Sequence, residues 1–130
     1  MQGQANDSQS YWQATRSPAA WPHGPLPRHA DLVVLGAGLL GLASAYWLAR
    51  AGYRPLILER GMPAAGATGR NGGLLVAGTA EAYPAAIARH GHETARAVWQ
   101  LTLGNRALVR QVLADEAIVC DYREPGHLTL

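Results

Sequence analysis

Lysine is missing from this sequence: all eleven basic residues are arginines, spread along the chain and never gathered in a block. A kinase-type phosphate loop, G-x-x-x-x-G-K, therefore cannot be built. Nine acidic residues reduce the formal charge to +2, so nothing recruits DNA, RNA or an anionic membrane. Cysteine occurs once, as Cys120, which rules out an internal disulfide or a cysteine-based zinc site and makes the cytoplasm the simplest compartment. Within Ile118-Val119-Cys120 the thiol is expected to be a small buried hydrophobe. The chain is also short: 130 residues, 48% of them apolar, can bury one modest core. A membrane span is not expected. The uncharged run from Leu32 to Ala49 is interrupted by three glycines and Ser44 and reads instead as strand, turn and helix. The first thirty residues are polar and proline-rich, unlike a signal peptide.

Those residues, 1–30, predict an extended arm with little regular structure, with Tyr11, Trp12 and Trp21 packing back onto the domain or onto a partner. From 31 to 130 the pattern is that of a folded domain. Asp31 to Gly36 reads as a buried strand, whose unbroken apolar run is what a parallel strand covered on both faces requires. Leu39 to Ala51 carries apolar residues at near-helical spacing and meets a stop at Gly52, and Arg54 to Leu58 is a second strand. A helix-rich stretch follows from Glu81 to Glu116, broken near Gly91 and weakened at Gly104. Ile118 to Arg123 and His127 to Leu130, around Pro125-Gly126, read as two strands of a hairpin. The fold class is α/β: a Rossmann-like βαβ unit, then helices and a β-hairpin.

Gly36-Ala37-Gly38-Leu39-Leu40-Gly41 is a G-x-G-x-x-G sequence between strand and helix. Gly36 would permit the tight turn, Gly38 would let a pyrophosphate approach the backbone, and Gly41 would let helix and strand pack closely. The bare amides of this turn and of Leu39 and Leu40, at the positive end of the helix, would face the phosphates. Glycines serving helix packing alone would give the same hexapeptide. Glu59, eighteen residues beyond Gly41 at the end of the second strand, supplies the carboxylate that can accept from adenosine ribose hydroxyls. That acid disfavours a 2′-phosphate, although Arg60 beside it works the other way.

A second polar surface follows in Gly66-Ala67-Thr68-Gly69-Arg70-Asn71-Gly72-Gly73. A small residue, a hydroxyl, a guanidinium fork, an amide and exposed backbone N–H groups could face a pyrophosphate and its sugar. A plain solvent loop is the alternative.

With these stretches in view, the chain resembles the D-amino-acid-oxidase-like family of FAD-dependent oxidoreductases. The resemblance rests on Asp31-Leu-Val-Val-Leu-Gly-Ala-Gly-Leu-Leu-Gly-Leu, on Leu58-Glu59-Arg60 and, most specifically, on Gly66 to Gly73; Ser10-Tyr11-Trp12, the helical segment after Glu81, Cys120-Asp-Tyr-Arg and Gly126-His-Leu add weaker support. It implies a two-domain flavoenzyme that takes a hydride from the carbon beside an amine nitrogen and passes it to flavin N5. It also implies FAD contacts at Gly36, Gly38, Leu39, Leu40, Gly41, Glu59, Arg60, Ala67, Thr68, Arg70, Asn71 and Gly72. Some relatives bind flavin through a histidine in the second glycine loop; this loop has none, so FAD is expected to be non-covalent. Residues 31–130 would then be the N-terminal part of an FAD-binding domain, truncated at Leu130, with the substrate domain missing and no catalytic residue to name. The expected partner is a small amine or amino acid. A non-catalytic nucleotide-binding module and a fragment of an NAD-dependent dehydrogenase are the rival readings.

Other chemistry-bearing residues read as structural. His90 and His92 diverge on a helix and lack further ligands, so no metal site is expected. Asp115 and Glu116 read as solvated surface, and Asn6-Asp7-Ser8 as a chance glycosylation pattern.

Overall fold

A computed structural model gives the fold and describes residues 9–16 and 24–126. The expectations for Asn6-Asp7-Ser8, Trp21 and the second hairpin strand lie outside these residues. The chain divides into two compact units, residues 1–72 and 73–130.

In the first unit, α1 (Tyr11–Thr15) precedes β1 (Leu32–Leu35), α2 (Leu39–Arg50), β2 (Pro55–Leu58) and a 3₁₀ turn (Ala67–Arg70). The strands pair in parallel, Leu32 opposite Pro55 through Leu35 opposite Leu58. A parallel pair needs a crossover, and α2 supplies it, packing on both strands. Its stop is chemical: Gly52 adopts φ +90°, and the amides of Gly52 and Tyr53 donate back to Ala49 and Leu48 carbonyls at 3.0 Å each.

β1 departs from the expectation of a strand buried on both faces. Leu32 and Val34 are half-buried, but Val33 is 47% and Leu35 80% exposed. Val34 faces α2, because a Cβ at Gly41 would lie 3.3 Å from its Cγ1. Alternation then sends Val33 and Leu35 to the opposite face, where no described layer covers them.

Within residues 1–30, α1 is the one regular element among the described residues. A capping box starts it: the Ser10 hydroxyl accepts from the Gln13 amide at 3.2 Å, and the Gln13 side chain accepts from the Ser10 amide at 3.0 Å. Trp12 turns back to the domain, its indole N–H donating to the Asn71 carbonyl at 2.8 Å. Tyr11 stays exposed, edge-on to Trp12.

The second unit holds α3 (Tyr83–His90) and α4 (His92–Asp115), separated at Gly91 with φ +81° as its spacing suggested. α4 runs through Gly104 without a break. Tyr83 and Trp99 meet at 5.2 Å with tilted rings across the pair, and Ala95 is buried. Gly78 lies flat on the Trp99 indole, leaving no room for a Cβ, and its amide donates to Thr102 Oγ1 at 2.7 Å.

The expected strand over Ile118 to Arg123 is absent: residues 118–126 form no ladder. Ala117 and Asp121 adopt left-handed φ values of 50° and 52°, which break an extended run. The segment is tied instead to α4 through Glu124, whose carboxylate meets Arg110 at 3.3 Å and Arg106 at 3.9 Å and accepts from Tyr122 at 2.8 Å. That hydrogen bond holds the Tyr122 phenol above its ordinary value and, with the two arginines, holds Glu124 below its own. Cys120 is exposed rather than buried, because without a strand partner its apolar neighbours also face out.

Candidate functional site

The first unit gathers the two glycine stretches around the start of α2. Gly36 takes φ +92°, and its amide extends the ladder by donating to the Leu58 carbonyl at 2.8 Å. The chain then turns through Ala37, 2% exposed, and Gly38 becomes the N-cap of α2 with no side chain to cap it. Leu39 and Leu40 open the helix with both side chains exposed, so what they offer the turn is their amides.

The glycines separate into two groups by what a side chain would meet. A Cβ at Gly41 would sit 2.0 Å from the Gly36 carbonyl oxygen, and one at Gly69 would sit 2.4 Å from that of Ala64. The fold itself requires these two, as it requires Gly36 for its φ. Gly38, Gly66 and Gly72 differ. None has a left-handed φ; a Cβ at Gly38 would make an ordinary 3.4 Å contact with Thr68 Oγ1, and at Gly66 or Gly72 it would meet nothing within 4 Å among the described residues. Neither backbone strain nor internal packing accounts for glycine at these three positions.

Glu59, at the end of β2, ties the turn together. Its Oε2 accepts from the Ala37 amide at 2.8 Å and its Oε1 from the Gly61 amide at 2.9 Å. These two hydrogen bonds, the Ala37 one foremost, hold the carboxyl below the usual glutamate range, with Arg60 adding its charge. A carboxylate has about four lone-pair sites, so both oxygens retain acceptor capacity for further donors. Arg60 is itself exposed.

The second glycine stretch reaches the first through one hydroxyl. Thr68, inside the 3₁₀ turn, accepts from the Leu39 amide at 2.9 Å. The Ala64 amide donates to the Ala37 carbonyl at 2.9 Å, and Asn71 Nδ2 to the Thr68 carbonyl at 2.7 Å. Thus Gly36, Gly38, Leu39, Gly41, Glu59 and Thr68 meet around one turn, and Asn71 braces Thr68. Ala67, Arg70 and Gly72 are exposed on the same stretch. Sequence reasoning missed Ala37 and Ala64, which carry no motif, and the Ser10 and Gln13 side chains, which their S-x-x-Q spacing could have flagged.

Since Glu59 is held below its unfolded value, the unfolded chain binds the extra proton in the acid range. Its contribution is full above the usual glutamate range and is lost as pH falls through the depressed value. Thermal unfolding followed against pH is expected to show the melting temperature falling more steeply on acidification in the wild type than in Glu59→Gln.

Among the described residues no helix is long and apolar enough to cross a membrane, and no group of three His, Cys, Asp or Glu could hold a metal. A strand, a glycine turn ending on a helix, and a parallel strand ending on an acid make a mixed α/β arrangement. The family follows from comparison: the model of the FAD dependent oxidoreductases matches residues 31–130, and the chain belongs to that family. It is 33% identical over 102 residues, 78% of its length, to the probable oxidoreductase OrdL of Haemophilus influenzae. To the gamma-glutamylputrescine oxidoreductase of Escherichia coli it is 35% identical over 96 residues, 74% of its length. D-amino acid dehydrogenase 2 of Mesorhizobium japonicum matches at 44% identity over 59 residues, 43% of the chain and 14% of that protein. These matches span 23% of the Haemophilus protein and 22% of the Escherichia one, so the chain covers less than a quarter of either. No solved structure matches it.

Proposed function

We propose that this chain binds the ADP half of FAD and serves, within a two-domain flavoenzyme of Rossmann-like architecture, the oxidation of an amine or amino acid. The observation that carries the reading is the set of three glycines, Gly38, Gly66 and Gly72, that the fold does not need and that line the two loops meeting at α2. Close approach of a ligand to the backbone is the physical reason for glycine at such positions. The residues present fit the group. The amides of Gly38, Leu40 and Gly41, at the positive end of α2, favour the diphosphate, while that of Leu39 holds the Thr68 hydroxyl beside them. Thr68 yields its hydroxyl as a second donor, Arg70 and Asn71 offer charged and amide donors, and the remaining acceptor capacity of Glu59 suits the ribose hydroxyls. Ala67 and Gly72 keep the second loop low, and Arg60 offsets the charge of Glu59.

Bound flavin would supply the hydride acceptor; the chain's own residues bind and orient it. The names of two relatives, a gamma-glutamylputrescine oxidoreductase and a D-amino acid dehydrogenase, support an amine or amino acid as substrate. The segment from Gly61 to Gly73 contains no histidine, which supports non-covalent attachment.

The purified protein is expected to be yellow or to become so with FAD, and acid precipitation is expected to leave all of the flavin in the supernatant. Flavin in the pellet would contradict non-covalent binding. A colourless protein that binds NADH and not FAD would overturn the assignment.

A further inference from the structure

α1 touches the second glycine loop through three side chains, and each donates to a main-chain carbonyl. The Ser10 hydroxyl bonds the Gly69 carbonyl, Gln13 Nε2 the Ala65 carbonyl at 2.8 Å, and Trp12 Nε1 the Asn71 carbonyl at 2.8 Å. In a planar trans peptide the carbonyl of one residue and the amide of the next point in opposite directions. Fixing the Ala65 and Asn71 carbonyls toward α1 therefore turns the amides of Gly66 and Gly72 away from it. Neither amide has a partner among the described residues, and the space around both glycines is open. The held loop also carries Thr68, whose hydroxyl meets the Leu39 amide at the start of α2.

We infer that α1 is a clasp on the second glycine loop: Trp12 and Gln13 are positioning residues that set the direction of its peptide units, so that the Gly66 and Gly72 amides face an anionic ligand rather than α1. The role of the ligand rests on the FAD reading, whereas the clasp itself does not. An extended loop has no intrinsic reason to align its peptide dipoles, because each unit can flip at little cost when its carbonyl is solvated. Three donors on one short helix remove that freedom before the ligand arrives, which lowers the ordering cost of binding. The capping box makes the donors rigid, since Ser10 and Gln13 hold each other as well as the loop.

The double variant Trp12→Phe, Gln13→Glu removes both donors while keeping an aromatic ring and a residue that still completes the capping box. Thr15→Ala is the control, because among the described residues its hydroxyl bonds only the Tyr11 carbonyl within α1. FAD affinity is read by flavin fluorescence titration, and hydrogen exchange of the segment 65–73 is read by mass spectrometry on the apo-protein. The double variant is expected to bind FAD at least about tenfold more weakly, as the loss of two hydrogen bonds implies. Its 65–73 segment is expected to exchange faster while exchange in α4 stays unchanged; Thr15→Ala is expected to match the wild type in both. Unchanged exchange in 65–73, or unchanged FAD affinity in a wild type that binds FAD, would overturn the clasp. If the wild type binds no FAD, the functional reading fails and the exchange result alone decides the clasp.

Discussion

Gly38→Val is expected to abolish FAD binding while leaving the folded apo-protein intact. The N-cap backbone at this residue, φ −79° and ψ −179°, is open to any L-amino acid, and the one near neighbour of an added Cβ is Thr68 Oγ1 at 3.4 Å. The fold has little to lose. A ligand laid across the turn would lose its approach, because the branched side chain stands where the diphosphate must come within hydrogen-bond distance of the helix amides. Circular dichroism and the melting temperature are expected to stay near wild type, and flavin titration to show no saturation. A variant that binds FAD normally would remove the turn from the site.

Gly41→Ala should behave in the opposite way. Its Cβ would fall 2.0 Å from the Gly36 oxygen and 3.3 Å from Val34 Cγ1, with backbone rather than a mobile side chain as the obstacle. α2 must then move off β1, at a cost of about 1–3 kcal/mol or more for an overpacked contact. The expected result is a lower midpoint of urea unfolding in the apo-protein, with FAD affinity falling only as a consequence. Unchanged stability would mean that helix and strand are not held at this distance. Two glycines three residues apart in one motif are thus expected to separate, Gly38→Val by its effect on FAD binding and Gly41→Ala by its effect on the fold.

Much of the first unit could be read from local sequence. The run Leu32-Val33-Val34-Leu35 followed by Gly36, and the helical spacing ended at Gly52, place β1 and α2 within a residue or two of where they lie. Gly91 marked the break between α3 and α4 for the same reason: a left-handed residue was required there. What failed depended on contacts distant in sequence. The β1 run shows that Val33 and Leu35 are apolar, but only a covering layer decides whether they are buried. Ile118-Val119-Cys120 has strand composition, yet a strand exists only with a partner, and Glu124 ties this segment to Arg106 and Arg110 instead. In the site, Glu59 was legible as an acid of the right spacing. Its bonds to the Ala37 and Gly61 amides, and the bond of Thr68 to Leu39, required the loops to be folded over one another. Composition also hid α1, since the Gln, Ser, Pro and Gly of residues 1–30 surround it, although the capping spacing was present.

Adding ADP to the ¹⁵N-labelled apo-protein and following its amide resonances tests the central claim most directly. The amides of Gly38, Leu39, Leu40 and Gly41 are expected to shift saturably together with that of Thr68, while α4 stays still. Amides at the start of α2 that remain unmoved at saturating ADP would contradict the account.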